Sequence, residues 1–214
     1  MIKGFKGKST YLFLGIAILI AIGFLMFFFM FRGEGEEYIA RVGDSIVKPY
    51  EFEFFLSMEK TYLEQLAGVY GDEELRQEFW SSKMAGEDPL DVAKERALEA
   101  IREYKIYEIK ARENGIRLDE EEELKVIQVV EEKVRELGND SMGIMQTQTE
   151  DSDMFIQEYG VSSDDYKKIL RQMEIIRKFD ALLDDMEKAQ KDALLTKWSE
   201  DPQYELVLNR QIID

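Results

Sequence analysis

The chain has 214 residues, with 45 acidic against 28 basic side chains, a formal charge of −17, and neither cysteine nor histidine. It therefore lacks disulfides, the usual nucleophile–base pairs, the commonest general base near neutral pH and the ligands of most zinc sites, so catalysis would fall to carboxylates, Lys, Ser or Tyr. The acidic balance repels phosphate backbones and anionic headgroups, which argues against nucleic acid as a partner, and no phosphate-cradling glycine motif is present.

Residues Tyr11 to Phe31, YLFLGIAILIAIGFLMFFFMF, are uncharged and apolar. As a helix rising ~1.5 Å per residue they span about 30 Å, the hydrocarbon thickness of a bilayer. Lys3, Lys6 and Lys8 precede the run, whereas only Arg32 separates it from the acids beginning at Glu34. The excess of positive charge predicts residues 1–10 in the cytoplasm, a single-pass anchor over 11–31, and everything beyond outside the membrane. A cleaved signal is the alternative, but the run is long for one and ends in Phe27 to Phe31 rather than small residues. A lipid-anchored form after cleavage would need a cysteine. All 45 acids but only 25 of the 28 basic residues follow the run, a formal charge of −20 on the exterior.

Residues 32–37 read as a short Gly/Glu linker, and 38–214 as one mainly helical domain with a core of its own. Tyr38-Ile-Ala-Arg-Val-Gly43 alternates like a strand ending in a turn at Gly43-Asp44. Pro49 starts a first helix, in which Phe52, Phe55, Leu56, Tyr62, Leu63 and Leu66 predict an aromatic-rich apolar face to about Ala67, stopped by Gly68. A short helix is predicted over Asp72 to Trp80 and a loop from Trp80 to Asp88. Asp88-Pro89 then opens a long helix, whose stripe of Ala93, Ala97, Leu98, Ile101, Tyr104 and Ile109 runs toward Gly115.

Asp119 to Glu123 are five consecutive acids. Carboxylates suit hard cations, but consecutive helical positions point in different directions. Acids at a helix start instead complement its dipole, with Leu124, Ile127, Val130, Val134 and Leu137 as the buried face ending at Gly138. Asp184-Asp185 reads likewise as a solvated helix face. The stretch from Asn139 to Asp153 breaks the helical pattern and brings Met142 and Met145 near Met154. Exposed methionines adapt to unlike apolar partners, although packing onto the helices is the alternative. Ser162 to Asp165 cap a last long helix whose stripe extends from Tyr166 to Met186. Beyond Pro202, Tyr204-Glu-Leu-Val-Leu-Asn209 alternates like a strand. Two short strands bracketing a helical domain are expected to pair with each other.

Val42-Gly-Asp-Ser-Ile-Val-Lys-Pro-Tyr-Glu-Phe52 resembles the opening of SurA/PrsA-type extracytoplasmic foldases, with Val42, Val47, Glu51 and Phe52 on pattern. Gly43-Asp44 replaces the family's Asn-Gly, and Lys48 stands where it prefers Ser or Thr. Tyr159-Gly-Val-Ser-Ser-Asp-Asp-Tyr-Lys-Lys-Ile-Leu170 is similar to the start of the family's late long helix, and Trp198 with Tyr204 to Leu208 to its terminal strand. The resemblance implies a chaperone region that cradles unfolded secreted polypeptides. The parvulin prolyl isomerase domain that often accompanies it needs ~90 further residues, within the size of a small domain, and no block of the chain provides them.

The expectation is thus a membrane-anchored extracytoplasmic holdase without catalysis or cofactor. Phe52, Phe55, Met142, Met145 and Met154 are the expected client contacts. A tethered scaffold binding one folded partner is the second reading, and an isomerase with an unrecognised site the third.

Overall fold

A computed structural model describes residues 37–83, 86–140 and 155–209. The chain first makes a tight hairpin, β1 (Ala40–Val42) and β2 (Ser45–Val47), in antiparallel register with Ala40 opposite Val47 and Val42 opposite Ser45. Its turn is Gly43-Asp44, and Gly43 has φ +58°, a conformation that costs glycine little. A Cβ there would come within 3.3 Å of the Ile109 side chain, so the hairpin tip lies hard against the long helix.

Six α-helices follow among the described residues, α1 (Pro49–Ala67), α2 (Glu73–Ser81), α3 (Pro89–Glu113), α4 (Glu120–Asp140), α5 (Ser163–Leu183) and α6 (Lys188–Glu200), with a further helical stretch described over residues 155–159. A 3₁₀ turn at Pro202–Tyr204 leads into β3 (Leu206–Leu208). The latter pairs antiparallel with β1, with Val42 opposite Leu206, so the sheet order is β2-β1-β3. The expected pairing of the two ends of the domain is therefore present. The hairpin strand β2 was not expected, because its three residues are too few to show alternation.

Local signals placed the helix starts well. Asp72 accepts from the backbone N–H groups of Glu74 and Leu75, Asp88 from Leu90, and Ser162 from Asp165. The α1 start is unusual, because a donor-only ammonium at Lys48 cannot accept a capping hydrogen bond. Glu51 supplies the reciprocal half instead, its carboxylate accepting from the Lys48 backbone N–H at 2.8 Å.

Helix α3 is the spine, touching α1, α5, α6 and the hairpin. Ala93 and Ala97, both fully buried, let α1 approach closely, and Phe54, Phe55, Leu56, Leu63, Ile101, Val161 and Ile169 complete that core. A second cluster gathers Ala111, Ile175, Phe179 and Leu183 with Trp198 of α6. The arginine of α3 at position 102 donates to the backbone carbonyls of Ser199 and Tyr204, tying the chain's last turn to the spine.

Three helix faces differ from expectation. On α1 the buried residues include Phe54, whereas Tyr62 and Leu66 point outward. On α4, which packs chiefly on α5, Val126 and Val130 form a narrow buried pair, and Leu124 is 57% exposed; the helix also continues through Gly138 to Asp140. On α5 the stripe ends at Leu183, leaving Leu182 and Met186 exposed, and the polar stretch that follows forms α6. In each case the neighbours cover a strip narrower than the run of apolar residues.

A backbone crossing before α5 carries a prediction. Gly160 has φ +76°, and a Cβ there would lie 2.9 Å from the Ser57 Cβ and 3.1 Å from the Glu53 carbonyl oxygen of α1. Gly160→Ala combines a left-handed backbone with overpacking and is expected to cost about 2 kcal/mol. A lower urea midpoint at unchanged slope checks it.

Candidate functional site

Of the expected contact residues, Phe52 and Phe55 lie among the described residues. Phe55 is 8% exposed and locked in the core, its ring edge-on to Phe54 at 5.6 Å and to Tyr104 at 5.3 Å, so a client cannot touch it. Phe52 is half-buried and packs against the same cluster. Met142, Met145 and Met154 lie outside the described residues, as do the expected anchor over 11–31 and most of the linker.

What the fold does expose is a strip of α1 adjoining the buried face. Met58, Tyr62 and Leu66, spaced four residues apart on one stripe, are 51%, 47% and 69% exposed, and Tyr70 just past the helix is 56% exposed. Met58, Tyr62 and Tyr70 border a cleft of about 480 Å³ that also runs over Phe54, with Gln157, Glu158 and Tyr159 as its far wall. A neighbouring cleft of about 600 Å³ continues past Trp80 to Leu90 on α3. The two meet at Lys60, Glu64 and Arg76.

The clefts are held open by polar pins rather than filled. The indole N–H of Trp80 donates to the buried Glu64 carboxylate at 2.7 Å, and Arg76 stands 3.7 Å from the same group, so α2 is fixed over α1 at a distance. Arg96 lies over the Tyr62 ring at 4.9 Å and bonds Glu59, which orients that ring along the rim. The far wall is an aromatic stack, Tyr159 lying 4.6 Å from Phe155 and 4.7 Å from Tyr166. An apolar stripe bordered by fixed polar groups is a surface that can hold an apolar chain segment.

The signal for this stripe was in the sequence. Met58, Tyr62 and Leu66 recur at helical spacing, but so do Phe55, Leu56 and Leu63, and periodicity cannot say which of two adjoining faces meets the core.

The acidic run has a local explanation. Asp119 accepts from the Glu122 backbone N–H at 2.9 Å while Glu122 accepts from the Asp119 backbone N–H at 2.8 Å, a reciprocal cap. These bonds hold the Asp119 carboxyl below its usual range, with the Glu122 backbone N–H the main cause. Glu122 and Glu123 reach across to Lys178 and Arg171 of α5 at 2.7 Å and 2.6 Å.

A further buried ionic group lies between α1 and α3. Lys105, 3% exposed, donates to Glu51 at 2.7 Å and to Glu108 at 2.8 Å. Burial pushes the Glu51 carboxyl above its ordinary pKa, and the attraction of Lys105 offsets that only in part. None of these geometries sets a nucleophile against a base.

Comparisons with protein-family models, with curated proteins and with solved structures yielded no match for this chain.

Proposed function

We propose that this chain is a membrane-anchored, extracytoplasmic holdase that shelters apolar segments of unfolded secreted polypeptides without catalysis. The observation that carries the reading is the exposed Met58–Tyr62–Leu66–Tyr70 stripe, of which Met58, Tyr62 and Tyr70 line a cleft, on a strongly acidic helical domain. A domain with this charge resists self-association through such a stripe, which keeps it free for clients. The residues that resemble SurA/PrsA-type foldases support the same reading. The uncharged run over 11–31 would keep the domain beside the membrane across which such clients emerge.

Binding by area needs no reacting group. Each large apolar side chain fully buried by a client contributes ~1.5–3 kcal/mol, so removing three of them is expected to weaken client capture roughly tenfold or more. Met58→Ser, Tyr62→Ser and Leu66→Ser together, in full-length protein in nanodiscs, should reduce suppression of aggregation of a chemically unfolded client. Because all three side chains are exposed, thermal unfolding should change little. Undiminished suppression by the triple variant would remove the stripe as the site. Crosslinking that captures one stoichiometric folded partner, rather than many unfolded chains, would favour a scaffold instead.

A further inference from the structure

A second surface, remote in chemistry from the apolar stripe, has the opposite character from the chain as a whole. Between the hairpin, α3 and α5 lie a cleft of about 260 Å³ and an adjoining one of about 410 Å³, which share Glu108, Arg171 and Gln172. Six basic side chains, Lys48, Lys105, Arg112, Arg117, Lys168 and Arg171, line the pair against two acids, Glu51 and Glu108. With Asp44, Glu123 and Asp165, the acids that pair these cations from behind, the balance is six to five, which still sets the groove apart on a chain of charge −17.

Acids stand behind several of these cations but engage only part of their donors. Arg171 meets Glu123 through Nε, Arg112 meets Asp44 through one terminal nitrogen, and Lys168 meets Asp165 through its ammonium. The guanidinium of Arg171 therefore keeps its terminal N–H groups for another acceptor. Among the described residues the Arg117 side chain forms no ion pair, while its backbone carbonyl accepts from Lys178. The Lys105 ammonium, with two acceptors, retains a third proton.

The second observation is Tyr104, which lines the smaller cleft. It is 8% exposed, and its hydroxyl has no hydrogen-bond partner among the described residues. A buried unsatisfied hydroxyl costs roughly 1–3 kcal/mol, so sequences tend to keep one where it has a use. Here it adds a donor to a recess already rich in cationic donors.

We infer that this groove binds an acidic polypeptide segment, one carboxylate seated over Lys105 and Tyr104 and others along Arg117 and Arg171. Carboxylates match these donors in geometry, and the surrounding acidity of the protein confines them to the groove. The site is independent of the apolar stripe and persists if that stripe proves inert.

The test is fluorescence anisotropy of labelled hexaglutamate against full-length protein in zwitterionic nanodiscs, with hexaglutamine as control. Saturable binding of hexaglutamate alone, weakening with salt, is expected. Arg117→Gln should raise its Kd about tenfold without altering the melting temperature. Tyr104→Phe should weaken binding while leaving folding unchanged or improved, which a purely structural tyrosine would not do. Equal affinity for hexaglutamine, or unchanged affinity in both variants, would overturn the assignment. So would capture by phosphatidylglycerol vesicles that hexaglutamate does not displace, since the cations would then be reading headgroups.

Discussion

Lys105→Met is expected to destabilise the domain by about 3–5 kcal/mol at neutral pH, because it strands a buried carboxylate rather than merely deleting a contact. The Glu51 and Lys105 side chains are 7% and 4% exposed, so little water can take over when the partner leaves. Exposed pairs such as Lys133–Glu136 or Lys94–Asp91 should each cost no more than about 1 kcal/mol when broken. The sign with pH separates this account from simple loss of packing. The carboxyl of Glu51 is raised in the folded protein, chiefly by burial. The folded state therefore holds that proton more tightly than the unfolded one, and the stability it confers is full below the ordinary carboxylate pKa and lost as pH climbs through the raised value. Removing Lys105 raises the folded value further, so the damage should be slight in acid, where Glu51 is neutral in either protein, and grow toward neutrality. Adding Glu51→Gln should recover most of it, since the amide oxygen still accepts from the Lys48 N–H. Urea unfolding of the two variants across acid to neutral pH reads all of this. A penalty independent of pH, or a double variant no better than the single, would show that Lys105 acts through its methylenes instead.

The same pair illustrates what the sequence could and could not disclose. Glu51 was legible as part of a family-like helix start, because capping is set within three residues. Its contact with Lys105, 54 positions away, was not, because nothing local distinguishes that lysine from its exposed neighbours on α3. The helix ends at Asp88, Ser162 and Gly68 were legible for the same local reason. The pairing of β1 with β3 followed from an argument about unpaired strands rather than from pattern. Faces were read less well than boundaries. On α1 the apolar residues wrap most of the circumference, and only the tertiary packing decides that Phe55 goes inward and Tyr62 outward. The candidate clefts inherit that limit, since each is built from residues of α1 or α3 together with segments far away in the chain.

Phe155→Ala should be comparably damaging, about 3–5 kcal/mol, and should also impair client capture. Phe155 is fully buried and lies in the helical stretch described over residues 155–159. Its ring packs on Tyr159 at 4.6 Å and on Tyr166 at 5.2 Å, while Tyr166 lies 5.8 Å from Phe54 of α1. One side chain thus fastens the turn to the start of α5, whose Tyr166 in turn meets Phe54 of α1. Truncation leaves a cavity that the crossing at Gly160 is poorly placed to close, because there is no room for even a Cβ between it and Ser57 and Glu53. Phe155→Leu should cost distinctly less, as it keeps most of the volume and loses the aromatic edges. The functional consequence follows from position: Gln157, Glu158 and Tyr159 form the far wall of the cleft along the apolar stripe. Loosening the turn should therefore raise hydrogen exchange at residues 155–161 and weaken aggregation suppression under conditions where the domain remains folded. If exchange rises there while suppression is unchanged, the far wall takes no part in holding clients. The stripe on α1 would then act as an open surface instead of one side of a cleft.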